Sequence, residues 1–335
     1  MKLSILDQSP IPKGQTARDA LQQSIKLVRL AEELGYHRYW VAEHHNMNGI
    51  ASSSPEVLIA RLAAESKRIR IGSGGVLLPH YSPYKVAENF HLLSNLAPRQ
   101  IDLGIGRAPG GERISTLALN EGRRKSLDRF PDQVKDLQGY LTQNLPEDHP
   151  YQGVKAAPLP PEPPEMWLLG SSDGSAGYAA DLGTAFSFAH FINPNGGPSV
   201  ARMYRDRFQP SALYEEPRVN VCIFAVCADT DEEAERHAST LELWMLQIEQ
   251  GKTGGIPTLE EAEAFDPTPW ERFRMKENRR RIIVGNPNKV KEQILELAAS
   301  YRTDEVMLIT NIFDQEARLR SYQRIAEAFD LSSDA

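Results

Sequence analysis

The sequence predicts a (β/α)8, or TIM, barrel with an insertion after the seventh strand. Three observations carry this. Short apolar runs alternate with amphipathic segments along nearly the whole chain, which is the rhythm of repeated βα units. The strand-like runs number eight, which favours a closed barrel over the alternative, an open doubly wound sheet. The chain has 335 residues, an ordinary length for one barrel domain spanning residues 1–335.

The elements follow in order. "KLSILDQ" reads as the first strand. Residues 16–35 read as a helix, with Leu21, Ile25, Val28 and Leu34 at helical spacing and Gly35 as the stop. "YWVAEH" is the second strand, and Pro55 opens a helix carrying Val57, Leu58, Ala60, Leu62 and Ala63. "IRIGSGGVLL" and "QIDLGIG" are the third and fourth strands, separated by a helix over 83–96 and followed by one near 122–143. The proline-rich "APLPPEPPE" leads as an extended loop into the fifth strand, "MWLLG", because the βα rhythm resumes directly beyond it. A short helix ending at Gly183 precedes the sixth strand, "TAFSFA", and a helix near 197–208 precedes the seventh, "RVNVCIFAVCA". After a helix over about 231–250, residues 251–283 break the rhythm. A loop this long inside a barrel is a functional segment more often than a passive one, and a mobile lid over the site is predicted for it. A helix near 287–300, the eighth strand "EVMLIT" and a helix over 314–329 close the set.

Composition sets limits on function. With 41% hydrophobic and 25% charged residues the chain is globular. A net charge of −7 disfavours a general polyanion binder but not one local phosphate pocket. Cys222 and Cys227 lie five residues apart in one strand, so their side chains fall on opposite faces and no disulfide between them is expected. The N-terminal "MKLSILDQSP" lacks a basic stretch followed by a long apolar core, and no run reaches the roughly 18 apolar residues of a membrane span. A cytoplasmic protein is predicted.

In such a barrel the chemistry sits at the C-terminal ends of the strands. Residues 168–183, "LLGSSDGSAGYAADLG", take a strand into a helix through Gly170, Ser171, Ser172 and Ser175. Main-chain N–H groups at a helix start plus serine hydroxyls form an anion site; plain N-capping is the alternative. Residues 104–111, "GIGRAPGG", place Arg107 at the end of the fourth strand, where its guanidinium offers a fork to a phosphate or is an ordinary surface arginine. The spacing is not that of a dinucleotide fingerprint. Gly74 and Gly75 mark a bulge or a close approach at the third strand end. In "AEHHN", His44 and His45 point to opposite sides of an extended chain and cannot easily grip one metal. One is expected to face the barrel mouth and the other the surrounding helices.

Taken together, "AEHHN", "IGSGGVLLP", "GIGRAPG", "LLGSSDGSAGYAADLG" and "VGNPNKVKEQI" resemble, in order and spacing, the bacterial luciferase-like flavin-dependent monooxygenases, in particular their non-luminous single-chain members. The resemblance covers essentially the whole chain. It implies reduced FMN across the barrel mouth, with Arg107 on the phosphate and Ser171, Ser172 and Ser175 completing the anion site. It implies a cis peptide between Gly74 and Gly75 under the flavin ring, His44 as the catalytic histidine, and Glu43 and Glu88 near the pyrimidine side. His190 falls where the family has a flavin-proximal tryptophan. Gly106 stands where the luciferases carry a reactive cysteine, so light emission from a long-chain aldehyde is not implied. The expected reaction is oxidation of a small organic substrate by O2, with reduced FMN supplied by a separate flavin reductase. The expected assembly is a homodimer. No metal, nucleic acid or membrane is expected as a partner. Two alternatives stand beside this: hydride transfer with the deazaflavin F420, and a flavin-binding protein without turnover.

Overall fold

A computed structural model describes residues 1–108, 110–123 and 126–332. Pro109 of the 104–111 motif, Arg124 and Lys125 of the helix expected near 122–143, and the last three residues of the predicted 1–335 domain lie outside the described residues.

The strands are β1 (Lys2–Asp7), β2 (Arg38–Val41), β3 (Arg70–Leu77), β4 (Ile101–Gly106), β5 (Glu165–Gly170), β6 (Ala185–Ala189), β7 (Val219–Cys227), β8 (Ile282–Gly285) and β9 (Glu305–Ile309). All are paired in parallel, and the order β6-β5-β4-β3-β2-β1-β9-β7 closes through a β6–β7 pairing. Eight strands therefore make the barrel, and the expected (β/α)8 architecture is observed. Helices α1 (Ala17–Glu33), α2 (Pro55–Ala63), α3 (Pro83–Leu96), α4 (Arg113–Leu119), α5 (Phe130–Thr142), α6 (Asp173–Asp181) and α7 (Gly197–Arg207) follow the first six strands. The helix expected near 122–143 is thus α5 alone, starting at Phe130, with α4 as a separate element ahead of it.

The strand count needs one correction. The eighth barrel strand is β9, and β8 is an additional strand not foreseen from the sequence. Cys222 of β7 still pairs with Ala189 at the end of β6; from Phe224 onward β7 pairs with β8 instead. The long β7 thus outruns its neighbour, and the four-residue "IIVG" run fills the vacated edge. That run is too short, behind Arg279, Arg280 and Arg281, to stand out as a strand by periodicity.

The segment between α8 (Asp231–Glu249) and β8 holds α9 (Leu259–Glu263) and α10 (Pro269–Arg279). Both have a capping box, at Thr258 and Thr268 respectively, which explains two short helices among prolines and acids. They pack on α8, where Arg279 pairs with Glu235 and Glu242 of that helix. Ile256 bridges to Pro12 in the loop after β1. The predicted lid therefore sits beside the barrel, held to α8 and to the β1 loop. The chain ends with α11 (Pro287–Tyr301), β9 and α12 (Gln315–Ala328).

Alternation along each strand divides the buried apolar residues into two layers. Ile5, Tyr39, Ile71, Leu103, Phe186 and Leu308 face the helices, whereas Leu6, Trp40, Trp167, Phe224 and Met307 fill the barrel interior. At the N-terminal end the barrel is stoppered by charge. Arg38 at the start of β2 meets Asp102 of β4 and Glu305 of β9, each at 2.7 Å. Arg70 adds a second guanidinium, with Nε donating to Asp102 Oδ1 at 2.8 Å, and Trp40 Nε1 donates to Asp102 Oδ2 at 2.9 Å. Burial alone would push the Asp102 carboxyl up, but Arg38 and Arg70 overcome that and hold it below the usual carboxylate range.

Candidate active site

At the opposite, C-terminal end the strands open into a cavity of about 400 Å³, within the usual range for a ligand pocket. Its wall can be built strand by strand.

From β4 and β5 come the charged and hydroxyl groups. Arg107 follows directly on β4, and its guanidinium lies 5.8 Å from the Tyr178 ring. Among the described residues no carboxylate pairs with it. Ser171, Ser172 and Ser175 line the same wall. Ser172 is the N-cap of α6, accepting from Ser175 N, and Gly174 N donates to Asp173 Oδ1 at 2.8 Å, so the helix start brings the hydroxyls of Ser172 and Ser175 to the cavity on the same wall as Arg107. A nearby cation and a helix N-terminus together select an anion. Asn193 Nδ2 donates to Ser171 O at 3.0 Å and fixes the turn.

Gly74 and Gly75 of β3 are joined by a cis peptide, at the point where the β3–β4 register shifts between Ser73 and Val76. Packing explains the residue type. A Cβ at Gly74 would come 2.6 Å from Leu6 Cδ1, and one at Gly75 would come 2.6 Å from Gly104 O.

The loop after β2 supplies Glu43 and His44, both on the cavity wall. Glu43 is 3% exposed and its carboxylate is fully engaged: it accepts from Leu77 N at 2.9 Å and Tyr81 Oη at 2.6 Å, and meets His45 Nε2 at 2.7 Å. It braces the wall. His44 differs. Its Nδ1 is buried and has no hydrogen-bond partner. Burial, with a smaller contribution from His45, lowers its pKa to about 4, so the imidazole is neutral at pH 7. His45 does not line the cavity. Its ring is turned to Glu43, and its N–H donates to Gly110 O at 2.8 Å, which clamps the loop bearing Arg107 to the loop bearing His44.

Two predicted site residues lie elsewhere. Glu88 sits on α3, receives a hydrogen bond from Lys85 Nζ at 3.1 Å and is absent from the cavity wall; the helix turn aims it toward its own neighbours. His190 is also turned away. Along β6 it is Ser187 and Ala189 that face inward, so the period-two alternation directs Phe188 outward, and His190 follows it to meet Tyr301 Oη through Nδ1 at 2.9 Å. Phe191 takes the inward place. Leu6 and Gln8 of β1 and its following turn, Cys222 and Met307 also stand on the wall and carry no motif. Strand alternation was the one signal for them. No part of 251–283 lines the cavity. Among the described residues no three His, Cys, Asp or Glu side chains come together as a metal-ligand set, and no helix is long and apolar enough to cross a membrane.

Comparison with known proteins adds the following. The family described as luciferase-like monooxygenase matches residues 1–304. An uncharacterized protein of Bacillus subtilis, YceB, is 49% identical, covering 98% of this chain and 99% of that one. The N-acetyl-S-alkylcysteine monooxygenase of the same organism is 41% identical, covering 98% of each chain. Among solved structures, apo-MsnO8 superposes with a TM-score of 0.90 at 39% identity, covering 99% of both chains.

Proposed function

The chain belongs to the luciferase-like monooxygenase family, and from that premise we propose that it uses reduced FMN and O2 to oxidise a small organic substrate. One observation carries the reading. A single cavity joins a guanidinium with no carboxylate partner among the described residues, at a helix N-terminus, to the neutral imidazole of His44. The first is chemistry for a phosphate and the second is chemistry for a proton.

The residues fit FMN on these grounds. Arg107, the hydroxyls of Ser171, Ser172 and Ser175, and the N–H groups opening α6 would hold the phosphate. The cis Gly74–Gly75 edge gives a flat, side-chain-free wall for a ring. When bound, reduced FMN supplies the activation of O2 as an oxygen donor. The chain does the rest. Leu6, Leu169 and Phe191 exclude water from the reacting end. His44, neutral at pH 7, lines the cavity and holds or moves a proton through its ring. Glu43 keeps the wall in place through Leu77 N and Tyr81 Oη.

The 41%-identical relative is named for N-acetyl-S-alkylcysteine, a thioether, which makes alkyl sulfides a first substrate class to assay. The reading includes a flavin reductase as a transient partner, because no dinucleotide fingerprint is present in the sequence, and a homodimer testable by sedimentation. The test is stoichiometric. FMN is reduced anaerobically and mixed with the protein and each member of a panel of alkyl sulfides, O2 is then added, and oxygenated product per FMNH2 is measured. Substrate-dependent product supports the reading. Turnover with reduced F420 and none with FMNH2 would replace it by hydride transfer, and tight flavin binding without product from any panel member would replace it by storage.

A further inference from the structure

The barrel geometry sets a second polar group against the anion site. In the closed order β1-β2-β3-β4-β5-β6-β7-β9, β1 and β9 lie four strands away from β5 and β4, directly across the mouth. There the turn after β1 presents Gln8, which is 7% exposed and lines the cavity. Its Oε1 is already taken: Asn311, fully buried just beyond β9, donates to it from Nδ2 at 2.6 Å. In this arrangement Nε2 is the free end of the Gln8 amide, and Asn311 Oδ1 is buried without a partner among the described residues. Among the described residues no group accepts from Gln8 Nε2, and this nitrogen is not sealed off from the cavity. Two N–H donors are thus held toward the space opposite Arg107.

Their surroundings are uncharged. Leu6 lies two residues earlier on the same face of β1. Met307 of β9 is in register with Cys222 of β7, and both line the cavity. Burial pushes the Cys222 thiol well up, so it stays protonated. The one permanent cation among the described lining residues is Arg107, at the far wall. An oxidisable molecule seated here meets an apolar floor, a fixed N–H donor and no cation of its own.

We propose that Gln8 is a specificity-determining residue that binds a neutral carbonyl oxygen of the substrate, with Asn311 as the residue that positions it. The site therefore takes an apolar molecule carrying an amide, ester or ketone, and discriminates against a free carboxylate, whose charge has no counterpart near Gln8. A buried donor that must be satisfied separates ligands with and without the matching acceptor. The inference rests on the proposed placement of the FMN phosphate at Arg107, which leaves the β1/β9 side for the substrate.

The test uses three probes of one shape: 4-phenylbutan-2-one, butylbenzene and 3-phenylpropanoate. Each is titrated into the FMN-loaded protein and followed by the flavin absorbance change. The wild type should bind the ketone about tenfold more tightly than the hydrocarbon, the value of one well-made hydrogen bond, and the carboxylate more weakly than the ketone. Gln8→Leu should erase the ketone preference while leaving butylbenzene and FMN affinities unchanged. Gln8→Glu, which retains the shape and offers only acceptors, should reject the ketone and keeps the test readable if the leucine variant folds poorly. Asn311→Leu should lose part of the preference, because the Gln8 amide is then free to rotate. A preference that survives both Gln8 variants overturns the proposal. So does an FMN affinity that falls as far as the ketone affinity, which would make Gln8 a flavin anchor. If FMN itself fails to bind, calorimetric titration of the flavin-free protein with the ketone and the hydrocarbon separates the two readings: a Gln8-dependent ketone preference there upholds this inference while the flavin reading falls, and equal binding overturns it.

Discussion

The two ends of the barrel are built from the same residue types and use them in opposite ways. At the N-terminal end Arg38, Arg70, Asp102 and Glu305 are paired with one another. Among the described residues Trp167 Nε1, Tyr214 Oη, Asn220 Oδ1 and Arg38 Nε there make no hydrogen bond, but each charge in the cluster has an opposite charge beside it, Arg38 Nε at 2.7 Å from Glu305. At the C-terminal end, among the described residues, Arg107 has no carboxylate, the buried His44 Nδ1 has no partner, and Gln8 Nε2 is open to the cavity. Compensated charges hold strands together; uncompensated ones wait for a ligand. The difference teaches where to look for function in a barrel: at the polar groups the fold leaves unsatisfied, since each costs stability that only binding or catalysis repays.

The comparison can be broken at either end. The largest effect is expected at the stopper. Asp102→Ala leaves the buried Arg38 and the half-buried Arg70 with only Glu305 and Glu165 as partners, and removing one member of such a cluster costs about 3–5 kcal/mol. Urea unfolding should show that loss. A variant as stable as the parent would mean that the stopper contributes little. The sign with pH follows from the lowered Asp102 pKa. Its contribution is fully present above the unfolded carboxylate value of about 3.8 and disappears as pH falls through the still lower folded value.

His44→Ala should leave the fold and FMN affinity nearly intact and cut coupled turnover by about 10²–10⁴-fold, the usual cost of a lost acid–base group. Reduced flavin would still be oxidised, with hydrogen peroxide in place of product. Unchanged product per FMNH2 would remove His44 from the chemistry, and a loss of the same size in His45→Ala would show that the clamp on Gly110, not the imidazole at the cavity, matters.

A smaller effect concerns acid stability. The His44 pKa of about 4 lies below the ordinary histidine value of 6.5, so between these the unfolded chain takes a proton that the folded one refuses. Stability should fall as pH drops from 6.5 toward 4. His44→Gln should flatten that slope, and a melting series across this range checks it. An identical slope in the variant would contradict the burial of a neutral ring.

Much of this was legible in the sequence. Eight apolar runs at barrel spacing marked the eight strands of the closed sheet, and the glycine pair, the serine-rich helix start and Arg107 marked the strand ends that meet at the cavity. The illegible parts share a cause: they depend on which strand outlasts its neighbour. β8 exists because β7 runs past β6, and four residues of "IIVG" carry no period long enough to announce that. His190 was placed by resemblance one residue out of step with the inward face, which Ser187, Ala189 and Phe191 occupy. Glu88 lies on a helix whose rotation about its axis is set by packing with α2 and α5. Gln8 belongs to no motif, and its role depends on Asn311, which is 303 residues away in the sequence. The inserted segment was recognised as an interruption, yet its docking on α8 through Arg279 is tertiary information.

The central claim, that the open end of the barrel is a flavin phosphate site, is tested most directly by one pair of titrations on Arg107→Ala. FMN and riboflavin differ in the phosphate alone. The account predicts that FMN binding weakens by about 1.5–3 kcal/mol, the range for a hydrogen bond to a charged group, while riboflavin binding is hardly altered. Equal losses for the two ligands, or none for either, would contradict it.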